Sequence, residues 1–362
     1  MKKTGLQLQQ AVLSLIERGV DRPLSDAAFN ELALAVFAFQ FEANGVYRAY
    51  CEQQQRTPAT VKQWQEIPAV PTRSFKEFPL ACFPIEQAVA EFHTSGTSQA
   101  KSGKHYFQTL ALYEAVIRPN FQVHLLPDGA RLPMLVLTPS PEQAPHSSLA
   151  HMMGVVMKEF GAPDSAFYVE GKDLLAQKLV HDLLELQWAH QPVFLLGTAF
   201  AFVHLFEYCA KNAVRLEMAA GSRVMETGGF KGCSRQMSRT ELGGLFEQVL
   251  GIPSSRTVNE YGMTELSTQF YDQTLRAGQQ TDAKAVPPWA RVQIIDPQTG
   301  REAAHGERGM LRVFDLANLW SIVCIQTEDL GATNANGFEI LGRAADAEVR
   351  GCSLNAEALS LK

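Results

Sequence analysis

A run of small and hydroxyl-bearing residues followed by two lysines is the first stretch that could do chemistry. It reads FHTSGTSQAKSGK, and its polar members are Thr94, Ser95, Gly96, Thr97, Ser98, Lys101 and Lys104. Backbone N–H groups and hydroxyls of such a loop can bind phosphate oxygens, and the ammonium groups offset their charge. It is not a Walker A loop, because its glycines are seven residues apart and His105 follows the lysine. An ordinary polar loop between a strand and a helix is the alternative.

Three more motifs follow the loop in order. They are VNEYGMTEL (258–266), TEDLG (327–331) and LGR (341–343) with Asp346. Together with the loop, they resemble the adenylate-forming superfamily, whose members use ATP to activate a carboxylate as an acyl-adenylate. METGGFKG (225–232), RGCSL (350–354) and the short C-terminus make the chain most similar to the acyl-protein synthetases of bacterial bioluminescence fatty-acid reductases.

This resemblance implies an α/β fold. The expected unit is the large N-terminal domain of the adenylate-forming fold, with mostly parallel sheets, flanking helices and a small β-rich subdomain. The alternation of strand and helix signals independently favours a parallel sheet. Only sixteen residues follow Asp346, so we expect the lysine-bearing C-terminal domain of other relatives to be truncated.

The resemblance also assigns roles in nucleotide binding. Thr94, Ser95, Gly96 and Thr97, with Lys101 or Lys104, would hold the β- and γ-phosphates. Gly228 and Gly229 would flank adenine, Tyr261 would stack on it, and Asp329 and Arg343 would bind the ribose. Thr264 would contact the α-phosphate, and Glu265 would bind Mg²⁺, which prefers oxygen ligands. Taken singly, Tyr261 could be a half-buried aromatic, Asp329 a turn residue and Arg343 a solvated charge.

The resemblance also implies two catalytic roles. Lys231 or Lys104 would replace the cation of the truncated domain. Cys352 corresponds to the cysteine that accepts the acyl group as a thioester in the family that the chain resembles. Arg350 is close in sequence, and a nearby cation lowers the pKa of a thiol. The other five cysteines are expected to be small buried hydrophobes.

The acyl pocket has weaker signals. Gly197, Thr198 and Phe200 follow a predicted buried strand and are candidates for substrate binding. His151 is another candidate, although it could equally be a core histidine.

Composition limits the remaining possibilities. The net charge is −6 and the isoelectric point about 5.9, which argues against a nucleic-acid partner. The N-terminus lacks the apolar segment of a signal peptide, no apolar run is long enough for a membrane span, and the cysteines form no C-x-x-C pair. We therefore expect a cytoplasmic protein; its oligomeric state stays open.

The sequence predicts four consecutive regions: a helical cover (1–66), an α/β core that binds nucleotide and acyl group (67–288), a β-rich subdomain (289–343) and a tail with the acceptor cysteine (344–362). Helices are predicted at 6–18, 25–44, 106–120, 147–160, 173–188, 197–211 and 239–250. The hypothesis is an ATP- and Mg²⁺-dependent acyl-protein synthetase that activates a carboxylic acid, with a fatty acid as the first candidate, and passes the acyl group through Cys352 to a reductase or carrier protein. Alternatives are an enzyme for an aryl or other specialised acid, or a nucleotide-binding protein without turnover.

Overall fold

The computed structural model describes residues 3–94, 102–228 and 238–344. Within these ranges the α-helices are α1 (Gly5–Glu17), α2 (Asp26–Ala43), α3 (Gly45–Gln53), α4 (Ser74–Glu77), α5 (Ala111–Leu125), α6 (Ser148–Phe160), α7 (Ala176–Trp188), α8 (Ala199–Lys211), α9 (Arg239–Leu250) and α10 (Thr274–Ala277). The strands are β1 (Val70–Pro71), β2 (Ala90–His93), β3 (Lys104–Phe107), β4 (Met134–Leu137), β5 (Ala166–Phe167), β6 (Val169–Glu170), β7 (Asp173–Leu174), β8 (Phe194–Thr198), β9 (Arg223–Thr227), β10 (Thr257–Tyr261), β11 (Phe270–Tyr271), β12 (Ala290–Ile295), β13 (Gly309–Asp315), β14 (Cys324–Asn334) and β15 (Gly337–Arg343).

The chain divides into two compact units, neither of which is continuous in sequence. Unit 1 comprises Met1–Pro119, Met263–Thr268 and Ala283–Lys362; unit 2 comprises Asn120–Gly262 and Gln269–Asp282. The boundaries of these units differ from those of the four consecutive regions predicted from the sequence, which remain a prediction.

Unit 2 is built on a six-stranded sheet with the order β11-β10-β9-β8-β4-β5. All neighbouring pairs are parallel except β10 and β11. Buried side chains of α7, α8 and α9 form one apolar cluster with those of β4, β8 and β9. The predicted α/β fold with a mostly parallel sheet and flanking helices is confirmed.

Unit 1 contains a five-stranded sheet and the N-terminal helices. Strands β12, β13, β14 and β15 pair in antiparallel fashion, and β1 joins β14 in parallel. Gln40 of α2, fully buried, donates to the carbonyls of Asn318 and Leu319 at 2.9 and 3.0 Å and accepts from the Val323 N–H at 2.9 Å. The helices at the N-terminus therefore belong to the same packed unit as the β-rich segment.

Three predicted helices begin later than expected. Residues 104–107 form β3, which pairs with β2, and α5 starts only at Ala111. His105 and Phe107 alternate as buried residues with partly exposed neighbours, which is the period of a strand rather than of a helix. The predicted phosphate loop therefore lies between two antiparallel strands, and the predicted strand-to-helix connection is wrong. Similarly, Asp173 and Leu174 form β7 before α7 starts at Ala176, and Gly197 and Thr198 end β8 before α8 starts at Ala199.

Candidate active site

The VNEYGMTEL motif is shared between the two units. Its first part forms β10, which ends at Tyr261 in unit 2, whereas Met263–Thr268 belongs to unit 1. In unit 1, the Leu266 N–H donates to the Met263 carbonyl at 3.1 Å, and Thr264 and Glu265 are the two central residues of the resulting turn. The predicted α-phosphate and Mg²⁺ ligands are thus adjacent on one tight turn.

Buried side chains hold both central carbonyls of this turn. Nδ1 of His105 lies 2.8 Å from the Thr264 oxygen, and Nδ2 of Asn318 donates to the Glu265 oxygen at 2.8 Å. The hydroxyl of Thr264 donates to the His93 carbonyl at 3.3 Å. Burial lowers the pKa of His105 to about 4, although the Thr264 contact opposes this shift. His105 is therefore neutral near pH 7.

The residues that follow the turn are anchored by Asp315. One carboxylate oxygen accepts from the N–H groups of Ser267 and Thr268 at 3.0 and 2.8 Å; the other accepts from the Thr268 hydroxyl at 2.8 Å. Asp315 is fully buried; this burial raises its pKa, and the hydrogen bonds oppose the rise. The turn thus leads into a rigidly hydrogen-bonded segment.

The base of the predicted phosphate loop continues the β2–β3 pair. The Thr94 N–H donates to the Gly103 carbonyl, and the Thr94 hydroxyl accepts from the Gly103 N–H, both at 2.9 Å. Lys104 Nζ lies 3.1 and 3.3 Å from the two carboxylate oxygens of Glu91, which also contacts His93 Nε2 at 2.9 Å. His93 and Lys104 lower the pKa of Glu91. Ser95, Gly96, Thr97, Ser98 and Lys101 lie outside the described residues.

The two residues predicted to bind ribose are neighbours in unit 1. Asp329 and Arg343 are opposite each other in the β14–β15 pair, and Arg343 Nε lies 3.5 Å from Asp329 Oδ1. The side chain of Asp329 is mostly buried, whereas that of Arg343 is about half exposed. A buried carboxylate beside an exposed guanidinium is suited to accept hydrogen bonds from hydroxyl groups.

The residues predicted to bind adenine lie in unit 2, at the ends of the neighbouring parallel strands β9 and β10. Tyr261 ends β10 and packs against Phe270 with ring centroids 6.3 Å apart. Gly228 follows β9 with φ +76°, and a Cβ atom there would meet open space. Thr227, the last residue of β9, hydrogen-bonds to the buried side chain of Glu260. Gly229 and Lys231 lie outside the described residues.

The substrate candidates differ in their surroundings. Gly197 is tightly packed, since a Cβ atom there would lie 2.7 Å from Leu137 Cβ. The Thr198 hydroxyl caps α8 by accepting from the Ala201 N–H at 3.2 Å. Phe200 is 45% exposed and packs against His204, and His151 on α6 is partly buried. The structure gives Gly197 and Thr198 structural tasks, and their role in substrate binding stays a prediction.

Four cysteines can be assigned to the interior, namely Cys51, Cys82, Cys209 and Cys324. Burial raises the pKa of each thiol, to about 12 for Cys51, about 11 for Cys209 and about 12 for Cys324. This agrees with their predicted role as small buried hydrophobes. Cys233 and the predicted acceptor, Cys352, lie outside the described residues.

Sequence reasoning missed the residues that support the Thr264–Glu265 turn. His105, Asn318 and Asp315 were not singled out, although each is almost completely buried. The period of two in β3, in which His105 and Phe107 lie on the buried face, is the signal that could have placed His105 in the core. No local pattern could have paired it with a residue 159 positions away.

Solved structures of adenylate-forming ligases share this fold. A 2-hydroxyisobutyryl-CoA ligase in complex with 2-HIB-AMP and CoA has a TM-score of 0.66 and 15% identity, and the match covers 91% of this chain and 70% of that one. ATP-bound MatB from Rhodopseudomonas palustris has a TM-score of 0.51 and 15% identity over 72% of this chain; the match spans about half of MatB, 49%. The predicted fold class is the one these structures have.

Sequence comparison then gives the family. The family model described as "Acyl-protein synthetase, LuxE" matches residues 21–360. Two relatives are long-chain-fatty-acid–luciferin-component ligases: one from Aliivibrio fischeri, 23% identical over 83% of this chain and 78% of its own length, and one from Vibrio harveyi, 21% identical over 90% and 86%. The chain belongs to the acyl-protein synthetase (LuxE) family. The predictions of the family and of an AMP-forming ligase that activates an acid are thereby confirmed.

The part of the chain that the structure describes has no helix that is both long and apolar enough to cross a membrane.

Proposed function

We propose that the protein activates a fatty acid with ATP as an acyl-adenylate, transfers the acyl group to Cys352 as a thioester, and delivers it to a reductase or carrier protein in the cytoplasm. The observation that carries this proposal is the Thr264–Glu265 turn, whose two central carbonyls are each bound by a buried donor. It supports the proposal because a site for charge development must hold its polar groups in place before the reaction.

In the first step, a carboxylate oxygen of the acid attacks the α-phosphorus of ATP, the bond from this phosphorus to the bridging oxygen breaks, and pyrophosphate leaves. Thr264 would bind the α-phosphate by turning its hydroxyl from the His93 carbonyl to a phosphate oxygen. Thr94 with its loop would hold the outer phosphates. Asp329 and Arg343 would bind the ribose. Adenine would lie between the ring of Tyr261, which would stack on it, and Gly228-Gly229. Lys104 would exchange its Glu91 partner for phosphate, and Lys231 is the second candidate cation.

Glu265 fits a divalent metal because its carboxylate is an oxygen donor and its backbone is fixed by Asn318. Glu265 would hold Mg²⁺, which would neutralise phosphate charge when bound. We propose this ion because hard cations prefer such ligands.

In the second step, the thiolate of Cys352 attacks the acyl carbon, and AMP leaves as the acyl–oxygen bond breaks. Tethering would raise the effective concentration of the thiolate to roughly 10⁵ M or more if it is well aligned. His151 and Phe200 are our candidates for contact with the acyl chain, with Gly197 and Thr198 shaping the wall beside them.

Acid-dependent exchange of labelled pyrophosphate into ATP tests the first step. Fatty acids of increasing length and a set of aryl acids should be compared at saturating ATP. We expect exchange with fatty acids, and a large loss in Glu265→Gln at limiting Mg²⁺. Stronger exchange with aryl acids would favour the alternative substrate class. If a folded protein gives no exchange with any acid, the nucleotide-binding alternative is favoured and the proposed activity is wrong.

Intact mass after incubation with ATP and acid tests the second step. Cys352→Ala should retain pyrophosphate exchange but should lose the hydroxylamine-labile acyl adduct that the wild type gains. Cys82→Ala is the matched control, because Cys82 is buried and should not accept the acyl group. The same labile adduct on Cys352→Ala would place the acceptor at another residue.

A further inference from the structure

His105 is a buried polar side chain with one defined task. Only 2% of its surface is exposed, and its ring packs against Phe107 and Phe75 with centroid distances of 4.2 and 5.7 Å. Its Nδ1 lies 2.8 Å from the Thr264 carbonyl oxygen. Because a carbonyl oxygen can only accept, the proton of the neutral ring must be on Nδ1.

The turn geometry explains why this donor is needed. The bond from the Leu266 N–H to the Met263 carbonyl closes the turn without using the carbonyls of its two central residues, Thr264 and Glu265. A buried carbonyl without a donor is costly. His105 supplies the donor for Thr264, and Asn318 supplies the donor for Glu265.

The same strand pair holds Thr264 at a second point. His93 of β2 accepts from the Thr264 hydroxyl at 3.3 Å, and β2 and β3 are paired so that Phe92 faces His105 and His93 faces Lys104. The next residues outward are Thr94 and Gly103, which form the base of the predicted phosphate loop. One hairpin therefore carries this loop base and fixes both the backbone and the side chain of Thr264.

We propose that His105 is a positioning residue for the adenylation step. Its Nδ1–H holds the Thr264 carbonyl and so keeps Thr264 and Glu265 in a fixed position relative to the loop base at Thr94 and Gly103. The proposal rests on the function proposed above, because that function gives Thr264 and Glu265 their roles. His105 does not touch the reacting atoms; it acts through Thr264.

Three substitutions separate positioning from packing. His105→Asn places an amide N–H the same number of bonds from Cα as Nδ1, His105→Gln places it one bond further, and His105→Leu has no donor. We expect kcat for pyrophosphate exchange within about threefold of wild type for Asn, and a loss of roughly 10- to 100-fold for Gln and Leu, because small misplacements are costly in catalysis. The KM for ATP should change less than about threefold in all three.

His124→Leu is the matched control. His124 is equally buried, at 2% exposure, but lies at the end of α5 in unit 2. This variant should lower the melting temperature without lowering kcat. Equal losses of kcat for Asn and Gln, or a loss in His124→Leu as large as in His105→Leu, would overturn the proposal.

The tautomer provides a readout that does not depend on activity. ¹⁵N-labelled wild type should show one neutral imidazole with its proton on Nδ1 that disappears in His105→Leu, among the nine histidines of the chain. A proton on Nε2 would contradict the contact itself. Absence of exchange in the wild type would instead contradict the proposed function, so the two failures can be told apart.

Discussion

At the scale of single residues, the Thr264–Glu265 turn depends on side chains that are distant in sequence. His105, Asn318 and Asp315 come from different elements, and each pairs backbone groups of the turn or of the residues after it. A residue-level change at one of these positions should act on the turn as a whole.

His105 should also make stability depend on pH. Burial lowers its folded-state pKa to about 4, below the usual 6.5, so the unfolded chain binds more protons between these values. The free energy of unfolding should therefore fall as pH decreases through this window, by about 2 kcal/mol between pH 7.5 and pH 5 from this residue.

Urea denaturation at several pH values measures this contribution as the difference between the wild type and His105→Asn. The variant should lose stability less steeply from pH 7.5 to pH 5. Equal slopes for the two proteins would mean that His105 is protonated in the folded state at pH 5.

Asp329 should act on nucleotide binding more than on the bound reaction. Asp329→Asn removes a charged acceptor, and such hydrogen bonds contribute about 1.5–3 kcal/mol, so KM for ATP should rise roughly 10- to 100-fold with kcat nearly unchanged. Steady-state exchange rates at varied ATP give both constants. Glu328→Gln is the control, because Glu328 is also near Arg343, at 3.9 Å, and should leave KM within about threefold. A fall in kcat at saturating ATP, with KM unchanged, would argue against ribose binding.

At the scale of elements, three helices begin later in the structure than the sequence predicts. The β2–β3 pair and strand β7 each replace the start of a predicted helix, and β8 extends through Gly197 and Thr198. These differences arise because strand pairing uses residues whose local sequence also suits a helix.

Gly197 should tolerate no side chain at its place in β8. In Gly197→Ala, Cβ would lie 2.7 Å from Leu137 Cβ on the paired strand β4, so overpacking should lower the free energy of unfolding by about 1–3 kcal/mol. Gly244→Ala is the matched substitution, since Gly244 lies in α9 with no atom within 4 Å of a new Cβ. It should stabilise the protein by about 0.5–1 kcal/mol. Urea denaturation of both variants decides; similar values of the same sign would show that packing at Gly197 is loose.

At the scale of the whole molecule, each compact unit collects distant parts of the chain. Unit 1 joins the N-terminal helices to the β-rich segment, and Gln40 makes three hydrogen bonds to residues 318, 319 and 323. The helices at the N-terminus are therefore part of the core of this unit.

Gln40→Leu should destabilise this unit strongly. Leucine keeps most of the side-chain volume but leaves three backbone groups without their hydrogen-bond partner. The free energy of unfolding should therefore fall by about 3 kcal/mol. Gln10→Ala, at an exposed position of α1, should change stability by less than about 0.5 kcal/mol. Thermal unfolding of both variants measures the difference. If Gln40→Leu were as stable as Gln10→Ala, the N-terminal helices would be a dispensable cover after all.

The sequence by itself determined the class of fold and the family. Alternating strand and helix signals predicted the parallel sheet, the cap at Ser25 began α2 where expected, and α9 ends and begins as predicted. Local capping and periodicity suffice for such features, because they depend on neighbours in the chain. The motifs sufficed to identify the family, because each is a short run of neighbouring residues and they occur along the chain in the order that the family has.

Only the tertiary structure decided how these motifs are held. It brought Asp329 beside Arg343 and paired Glu91 with Lys104. It also showed that His105, Asn318 and Asp315 form hydrogen bonds with the Thr264–Glu265 turn and the residues after it. It also divided the VNEYGMTEL motif between two units. These features depend on pairs of residues far apart in sequence, whose contact is decided by the packing of the chain and leaves no periodic pattern along it.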